Sequence, residues 1–211
     1  MHPVSQQGRA GFTLLESMIG LAIIGVTLAI GVPMISSWVR TTKIQGAAEF
    51  YAEGFRMARG EAVKHKSSSR ITLTTNVNTG QLDWQVDICF SVPTAICDND
   101  SGNWSTTTTA ASGDPELAMG LPGFKSILRT ADTLPPAGIM TETIQPIGAN
   151  QIYYTSLGWV DTTINPRVTL LTMAPPVGSD AFLANAIAIP LSGMANKCYP
   201  TVGVNDSRAC P

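Results

Sequence analysis

The chain has 211 residues, which is long enough for one ordinary domain together with a membrane anchor. Charge is sparse and uneven: residues 1–70 hold eight Lys/Arg against four Asp/Glu, whereas residues 71–211 hold five against eleven. The acidic C-terminal part should repel phosphate at long range, and a composition rich in Gly, Pro, Ser and Thr excludes a helical bundle in favour of a turn-rich β domain.

A long apolar run follows a short polar N-terminal stretch. No charged residue lies between Ser17 and Val39, and such a run can cross a bilayer core of about 30 Å. A buried core helix fits less well, because so long an uncharged run is rarely needed inside a small domain. An ordinary secretory signal also fits less well, because no small-x-small cleavage site follows the run. The run therefore indicates an N-terminal membrane anchor.

The sequence at the start of this run, Gly11-Phe-Thr-Leu-Leu-Glu16, resembles the processing site of type IV prepilins and type II secretion pseudopilins. The resemblance implies that a prepilin peptidase cuts between Gly11 and Phe12, and that the new amino terminus of Phe12 is methylated. It implies a leader over residues 1–11 and a transmembrane and assembly helix over residues 12–39. The protein would lie in the bacterial inner membrane, in contact with lipid and with its head in the periplasm, until it joins other major and minor pilins in a pilus or pseudopilus.

Glu16 is the one charged residue near the start of the anchor. A carboxylate in the apolar region costs roughly 2.5–3.5 kcal/mol, a cost that a nearby cation offsets. In the family that the motif resembles, a glutamate at this position neutralises the N-terminal amine of a neighbouring subunit. The resemblance therefore implies an assembly role for Glu16, paired with the Phe12 amine of another subunit. The alternative is that Glu16 lies at the membrane surface and pairs with nothing.

Gly31 and Pro33 weaken the anchor helix. A proline removes one backbone hydrogen bond and crowds the preceding turn, and glycine is a poor helix former. Pro33 also falls where the family has a helix-kinking proline. We therefore predict a kink or a melted segment near residues 31–33.

One apolar face continues the helical pattern beyond the anchor. Its residues recur at intervals of three and four, as expected for one side of a helix. They are Ile44, Ala48, Tyr51, Phe55, Ala58 and Ala62. The spacing predicts an amphipathic helix over residues 40–66 that packs on a globular head.

Residues 67–211 show the pattern of strands and turns. Expected strands at 70–76 and 81–90 flank Val77-Asn-Thr-Gly80, which predicts a hairpin. Four further strands are expected at 124–129, 151–155, 168–173 and 186–191, and residues 91–123 are expected to form a long loop. The predicted fold class is α+β, a type IV pilin-like fold in which a long N-terminal helix packs on an antiparallel β-sheet head.

The four cysteines form two pairs that are close in the sequence, Cys89 with Cys97 and Cys198 with Cys210. Neither pair has C-x-x-C spacing and the chain has only two histidines, so a zinc site is poorly supported. Outside the cytoplasm, disulfides are the natural interpretation. Three connectivities remain open; proximity favours the two local pairings, each worth about 2.5–3 kcal/mol in the loop-entropy model.

Three segments resemble the GspH/FimT family, which includes the H-type pseudopilin and the FimT and FimU minor pilins. They are residues 56–64 at the end of the long helix, residues 151–158 ending in a glycine turn, and residues 188–198, which resemble the family's last strand, I-x-x-x-G-R-x-R-x-C. Some FimT-like members bind DNA through those two arginines. Here Gly193 is followed by Met194, Ala195 and Asn196, so both arginines are absent, which argues against nucleic acid as a partner.

Several other side chains are assigned from their context. No set of nucleophile, base and acid stands out, so we expect no catalysis, no cofactor, no metal and no small-molecule substrate. Trp84 alternates with apolar neighbours and is expected in the core. Trp104, in a polar stretch, is expected to be an exposed contact residue, and His65 is expected to be solvated.

The sequence as a whole predicts a minor pilin that is incorporated into a type IV pilus or primes its assembly, serving twitching motility, adhesion or DNA uptake. The alternative within the same class is the H-type pseudopilin of a type II secretion system. The alternative from another class is a DNA-binding receptor at a pilus tip.

Overall fold

The structure of the protein is a computed structural model, which describes residues 13–93, 95–99, 101–179 and 181–211, without the side chains of residues 33, 34, 36 and 37. The predicted leader and Phe12 lie outside the described residues. The chain divides into two compact units, Met1–Val39 and Arg40–Pro211.

One helix, α1, covers Leu14–His65 and contributes residues to both units. Its first part contains a candidate membrane span, Leu14–Val32, with a mean hydropathy of 2.1 and no part buried against other described residues. The backbone is helical at residues 31–33, so the melted segment expected near Gly31 and Pro33 is not present. The backbone hydrogen bond that Pro33 cannot make is a single loss within a long helix. A kink at this point stays a prediction.

In the described part of the head, eight strands form two four-stranded antiparallel sheets. The strands are β1 (Ser68–Thr75), β2 (Leu82–Cys89), β3 (Ile127–Arg129), β4 (Thr141–Gln145), β5 (Gln151–Tyr154), β6 (Leu170–Ala174), β7 (Asn185–Ala188) and β8 (Asn196–Cys198). The first sheet has the order β3-β2-β1-β5 and the second the order β4-β6-β7-β8. A short helix, α2 (Pro115–Ala118), lies within the segment expected to be a loop.

The predicted fold class is confirmed, because an N-terminal apolar helix is followed by antiparallel sheets. The predicted hairpin is present: β1 and β2 pair antiparallel, with Ser68 opposite Cys89 and Thr75 opposite Leu82. The division of the strands between two sheets, and the strands β4 and β8, were not predicted.

The second half of α1 packs on the sheets through the predicted apolar face, every residue of which is buried. Gly54 marks the closest approach, since an added Cβ would lie 2.9 Å from both Ile71 Cδ1 and Trp84 Cδ2. The Trp84 side chain is fully buried, as predicted, and its Nε1 donates to the carbonyl oxygen of Phe50 at 3.0 Å. A buried tryptophan thereby keeps its polar atom satisfied while filling the core.

The prediction that His65 is solvated was wrong. Its side chain is only 11% exposed, and its Nε2 lies 3.2 Å from Glu61 Oε2 one helical turn earlier. Its ring also contacts Phe124 edge-on, with 5.2 Å between centroids. The segment after α2 therefore covers the end of α1, a tertiary contact that the local sequence does not reveal.

Trp104 is less exposed than predicted, because it packs against other residues of the head; its role as a contact residue stays a prediction. Its ring stacks on the Arg70 guanidinium, with 4.5 Å from Cζ to the ring centroid, and it meets the Tyr153 ring at 5.6 Å between centroids. Its Nε1 donates to the carbonyl oxygen of Asp98 at 3.1 Å. A cation–π contact and a ring contact hold this side chain on the strands β1 and β5.

Candidate assembly site

The described part of the N-terminal motif begins at Thr13, which caps α1. The backbone N–H of Glu16 donates to Thr13 Oγ1 at 3.2 Å, and the backbone N–H of Ser17 donates to the Thr13 carbonyl oxygen at 3.2 Å. Thr13 therefore satisfies an N–H group of the first turn that has no partner within the helix. The sequence signal was present as T-x-x-E, the pattern of a capping box, and our sequence reasoning missed it.

Glu16 lies in the first turn of α1 and its side chain is exposed. An acidic residue there is favoured by the partial positive charge of the helix N-terminus. Glu16 therefore stabilises the start of its own helix, in addition to the assembly role that the sequence predicts. Gly11 and Phe12, the predicted cleavage and methylation site, lie outside the described residues.

Thr27 lies in the apolar part of α1, and its hydroxyl is satisfied locally. Thr27 Oγ1 donates to the carbonyl oxygens of Ile23 and Ile24, at 3.0 and 2.9 Å. A hydroxyl bonded to its own helix needs no water or partner chain, so it is compatible with a bilayer. The large side chains around it are exposed, including Leu21, Ile24 and Leu28.

Two disulfides close short loops in the head. Cys89, the last residue of β2, is bonded to Cys97, and Cys198, the last residue of β8, is bonded to Cys210. These are the pairings that proximity favours. The second loop returns alongside its own start, because Tyr199 and Ala209 form a parallel β-bridge. Each disulfide therefore ties the segment that follows a strand to the last residue of that strand.

The three segments that resemble the GspH/FimT family meet at one place in the head. Arg59 Nε, on α1, donates to the carbonyl oxygen of Gly158 at 3.0 Å. An added Cβ at Gly193 would overlap that same carbonyl oxygen. Gly158 and Gly193 both have positive φ, +78° and +76°, so each needs glycine for its backbone conformation. The shared segments thus build a structural junction.

The Tyr154 side chain lies beneath this junction. It is 1% exposed, and an added Cβ at Gly193 would lie 3.1 Å from its Cε1. Burial raises the pKa of its hydroxyl, so the group stays neutral at physiological pH. Within the described residues its oxygen has no hydrogen-bond partner.

Exposed apolar side chains surround the junction. They are Leu157, Trp159, Leu191 and Met194, which are 53–74% exposed. The two loops that carry them are joined, because the backbone N–H of Val160 donates to the carbonyl oxygen of Leu191 at 3.0 Å. Met194 stands where FimT-like proteins carry the first arginine of their last segment. This surface therefore offers apolar groups in place of cations.

An ion-pair network links β8 to α1. Lys197 Nζ contacts Glu49 Oε1, and Arg56 lies 3.1 Å from the other oxygen of the same carboxylate. These hydrogen bonds hold the pKa of Glu49 below its usual range. All three side chains are at least 44% exposed, so solvent screens the pairs and they contribute little to stability.

The described residues contain no group of three or more His, Cys, Asp or Glu side chains that could hold a metal ion. Beside α1 they form an open groove of about 440 Å³, lined by Thr42, Gly46, Asn185 and Lys197 among others. The groove contains no paired nucleophile and base.

Comparison with protein families identifies the class of the N-terminus. Residues 6–32 match the family described as the prokaryotic N-terminal methylation motif. The match includes Gly11, Phe12 and Glu16 and extends to the end of the candidate membrane span. The chain therefore carries the N-terminal motif of prokaryotic prepilin-like proteins, which are structural proteins rather than enzymes.

Comparison with solved structures gives two similar chains, both of the Pseudomonas aeruginosa (strain PAO1) type IV minor pilin FimU. The crystal structure in space group P21 has 13% sequence identity and a TM-score of 0.40, covering 75% of this chain and 90% of that chain. The structure in space group P65 has 12% identity and a TM-score of 0.39, covering 77% and 98%. None of the curated proteins compared with the chain matches it.

Proposed function

We propose that this protein is a minor pilin that is incorporated into a type IV pilus or primes its assembly. It would be held in the inner membrane by residues 12–39, with residues 40–211 in the periplasm. A prepilin peptidase would cut between Gly11 and Phe12 and methylate Phe12. The protein would then leave the lipid and pack among other pilins.

One observation carries the proposal. The methylation motif at residues 6–32 includes an apolar helical segment, Leu14–Val32. None of the large side chains of this segment is buried against the described residues. Such a helix needs an apolar environment from outside the chain. Lipid supplies that environment before assembly, and the helices of neighbouring subunits supply it afterwards.

Glu16 is proposed to pair with the N-terminal amine of a neighbouring subunit. Its backbone N–H is held by Thr13, while its side chain is exposed and is therefore available to a partner. A carboxylate in an apolar assembly is costly unless a cation neutralises it. The amine of Phe12 exists only after cleavage, so this pairing would favour correctly processed subunits.

The head is proposed to choose the neighbours in the filament. The exposed apolar surface of Leu157, Trp159, Leu191 and Met194 supports contacts with other pilins, because exposed apolar patches mark interaction sites. The absence of arginines at Met194 and Asn196, in an acidic part of the chain, argues against a DNA receptor.

Incorporation into filaments tests the proposal. In the bacterium that produces the protein, Glu16→Val should insert into the membrane but be depleted from sheared filaments. Thr27→Val is the matched control, because it changes a polar residue of the same helix whose hydroxyl is bonded to its own backbone. Equal incorporation of Glu16→Val and the wild-type protein would contradict the assembly role of Glu16.

The pilus and the type II secretion pseudopilus require different complementation assays. Deletion of the gene should abolish surface pili or twitching, and the wild-type gene should restore them. Loss of exoprotein secretion with intact pili would identify the H-type pseudopilin instead. Binding of the protein to duplex DNA at low salt, lost as salt is raised, would favour the receptor function.

A further inference from the structure

A buried carboxyl group joins α1 to both sheets of the head. Glu142, on β4 of the second sheet, accepts a hydrogen bond at its Oε2 from the backbone N–H of Leu82 at 2.9 Å. Leu82 begins β2 of the first sheet, and its carbonyl oxygen accepts a hydrogen bond from the Tyr51 hydroxyl of α1 at 2.9 Å. The three groups form one cluster, since the Tyr51 hydroxyl also interacts with the Glu142 carboxyl.

Among the described residues, no cation forms an ion pair with this carboxyl group. None of the ion pairs formed by the described residues involves Glu142, and its Oε1 is buried with no hydrogen-bond partner among them. The titratable groups that face the cluster are Tyr51 from α1 and Asp83 from β2; on β6, Glu142 is paired with Met173. Burial raises the pKa of Glu142 from its ordinary value of 4.5 to about 7.

The hydrogen atoms of the cluster explain why the protonated acid fits better. The Leu82 N–H donates to Glu142 Oε2 at 2.9 Å and also lies 3.2 Å from the Tyr51 oxygen, while the Tyr51 O–H donates to the Leu82 carbonyl. With Glu142 protonated, its Oε2 hydroxyl can donate to the Tyr51 oxygen, so the Tyr51 proton stays with the Leu82 carbonyl. Glu142 Oε1 has no partner among the described residues in either protonation state, and this absence disfavours a charge on the carboxyl group. With Glu142 ionised, the single Tyr51 proton must serve either the carboxylate or the Leu82 carbonyl, and a buried charge is left without a cation, which is unfavourable.

We propose that Glu142 is a proton-operated clasp, which fastens β4 to α1 and β2 when it is protonated and weakens that junction when it is ionised. Proton release would not alter the two sheets themselves, because the ladder between β4 and β6 does not use the Glu142 side chain. It would loosen the attachment of the second sheet to the helix. The head would therefore be more rigid in mildly acidic surroundings than in mildly alkaline ones.

The direction of the pH effect follows from linkage. The unfolded chain loses the Glu142 proton near its ordinary pKa of 4.5, whereas the folded chain keeps it until about pH 7. The stabilisation is therefore complete below pH 4.5 and is lost as the pH rises through 7. Between pH 5 and pH 8 this group alone should raise the unfolding equilibrium constant roughly 70-fold.

Urea unfolding of the full chain in detergent, measured at intervals from pH 5 to pH 8, tests the clasp. Glu142→Gln carries both a donor and an acceptor and mimics the protonated acid, so the increase in its unfolding constant from pH 5 to pH 8 should be roughly 70-fold smaller than in the wild-type protein. Glu53→Gln, an exposed position on α1, is the matched control and should keep the wild-type pH dependence. Wild-type pH dependence in Glu142→Gln would overturn the proposal.

A second measurement keeps the test valid if Glu142→Gln folds poorly. In the wild-type protein, the NMR shift of the Leu82 amide proton should titrate with a midpoint near pH 7, because this amide donates to the Glu142 carboxyl. The same titration should be displaced in Tyr51→Phe, which lacks the hydroxyl. A Leu82 amide that titrates near the ordinary pKa of 4.5 would overturn the clasp.

Discussion

The two halves of α1 belong to the same helix and have opposite surroundings. In the first half, apolar side chains such as Ile24 and Leu28 are more than half exposed, whereas Ile44, Tyr51 and Phe55 in the second half are almost completely buried. Both halves are helical because helix formation depends on local backbone bonding. The two halves differ in what covers their apolar side chains. The head covers those of the second half, and no described residue buries those of the first half.

This difference separates two kinds of function within one element. Residues of the second half stabilise the head, and their substitution should be detected as a loss of folding free energy. Residues of the first half have no such partner within the described chain, and their substitution should be detected in membrane insertion or assembly.

Phe55→Ala should have the largest effect on the head. The side chain is fully buried, so its removal leaves a cavity and should lower the free energy of unfolding by about 3–5 kcal/mol. Ile24→Ala, in the first half, should change that quantity by less than about 0.5 kcal/mol. Urea unfolding of both variants in detergent, followed by circular dichroism, measures the contrast, and equal losses would contradict the separation.

Removal of the C-terminal disulfide should have the next largest effect. The Cys198–Cys210 bridge closes a loop with a sequence separation of 12, so the double variant Cys198→Ser/Cys210→Ser should lose about 2.5–3 kcal/mol in the loop-entropy model. Its head should also be cut faster by protease under oxidising conditions. Digestion at the wild-type rate, with the anchor equally intact in both proteins, would show that the bridge is dispensable.

Two glycines of the second half should respond in opposite directions. Gly54→Ala brings a Cβ to 2.9 Å from Ile71 Cδ1 and Trp84 Cδ2, so overpacking should destabilise the head by about 1–3 kcal/mol. Gly46→Ala meets nothing within 4 Å and should stabilise the helix by up to about 1 kcal/mol. Thermal unfolding of the pair measures the sign of each change; stabilisation by Gly54→Ala would contradict the close packing described.

Thr13→Ala should have the smallest effect, confined to the start of α1. Loss of the cap should destabilise the first turn by about 1 kcal/mol without altering the unfolding of the head. Hydrogen exchange of the Glu16 amide, which donates to Thr13 Oγ1, should become faster in detergent micelles. Unchanged exchange would show that Thr13 does not cap the helix.

The elements that could be predicted from the sequence are those with strong local patterns. The apolar spacing from Ile44 to Ala62 indicated one helix face, and the alternation around Trp84 with a turn at Asn78 to Gly80 indicated the β1–β2 hairpin. Sequence proximity favoured both disulfide pairings. Each of these features depends on residues that are near one another in the chain.

The elements that were missed depend on contacts distant in the sequence. β4 has the burial pattern of a half-exposed strand and lies at the edge of its sheet, so its sequence carries little apolar alternation. β8 has only three residues. The packing of Trp104 on Arg70 joins positions 34 residues apart, and no local pattern reports such a contact.

Only the part of the candidate site that is contiguous in the sequence could be predicted. The N-terminal motif is one contiguous stretch, so the order of its residue types is enough to recognise it. The carboxyl cluster of Glu142 gave no sequence signal, because its partners, Tyr51 and Leu82, lie on two other elements.

Intact-mass spectrometry of the protein purified from membranes and from filaments tests the central claim most directly. The account predicts a chain that begins at an N-methylated Phe12, whereas Gly11→Val, which places a bulky side chain at the cut, should retain residues 1–11. A wild-type chain that keeps Met1, or that begins at Phe12 without the methyl group, would contradict the account.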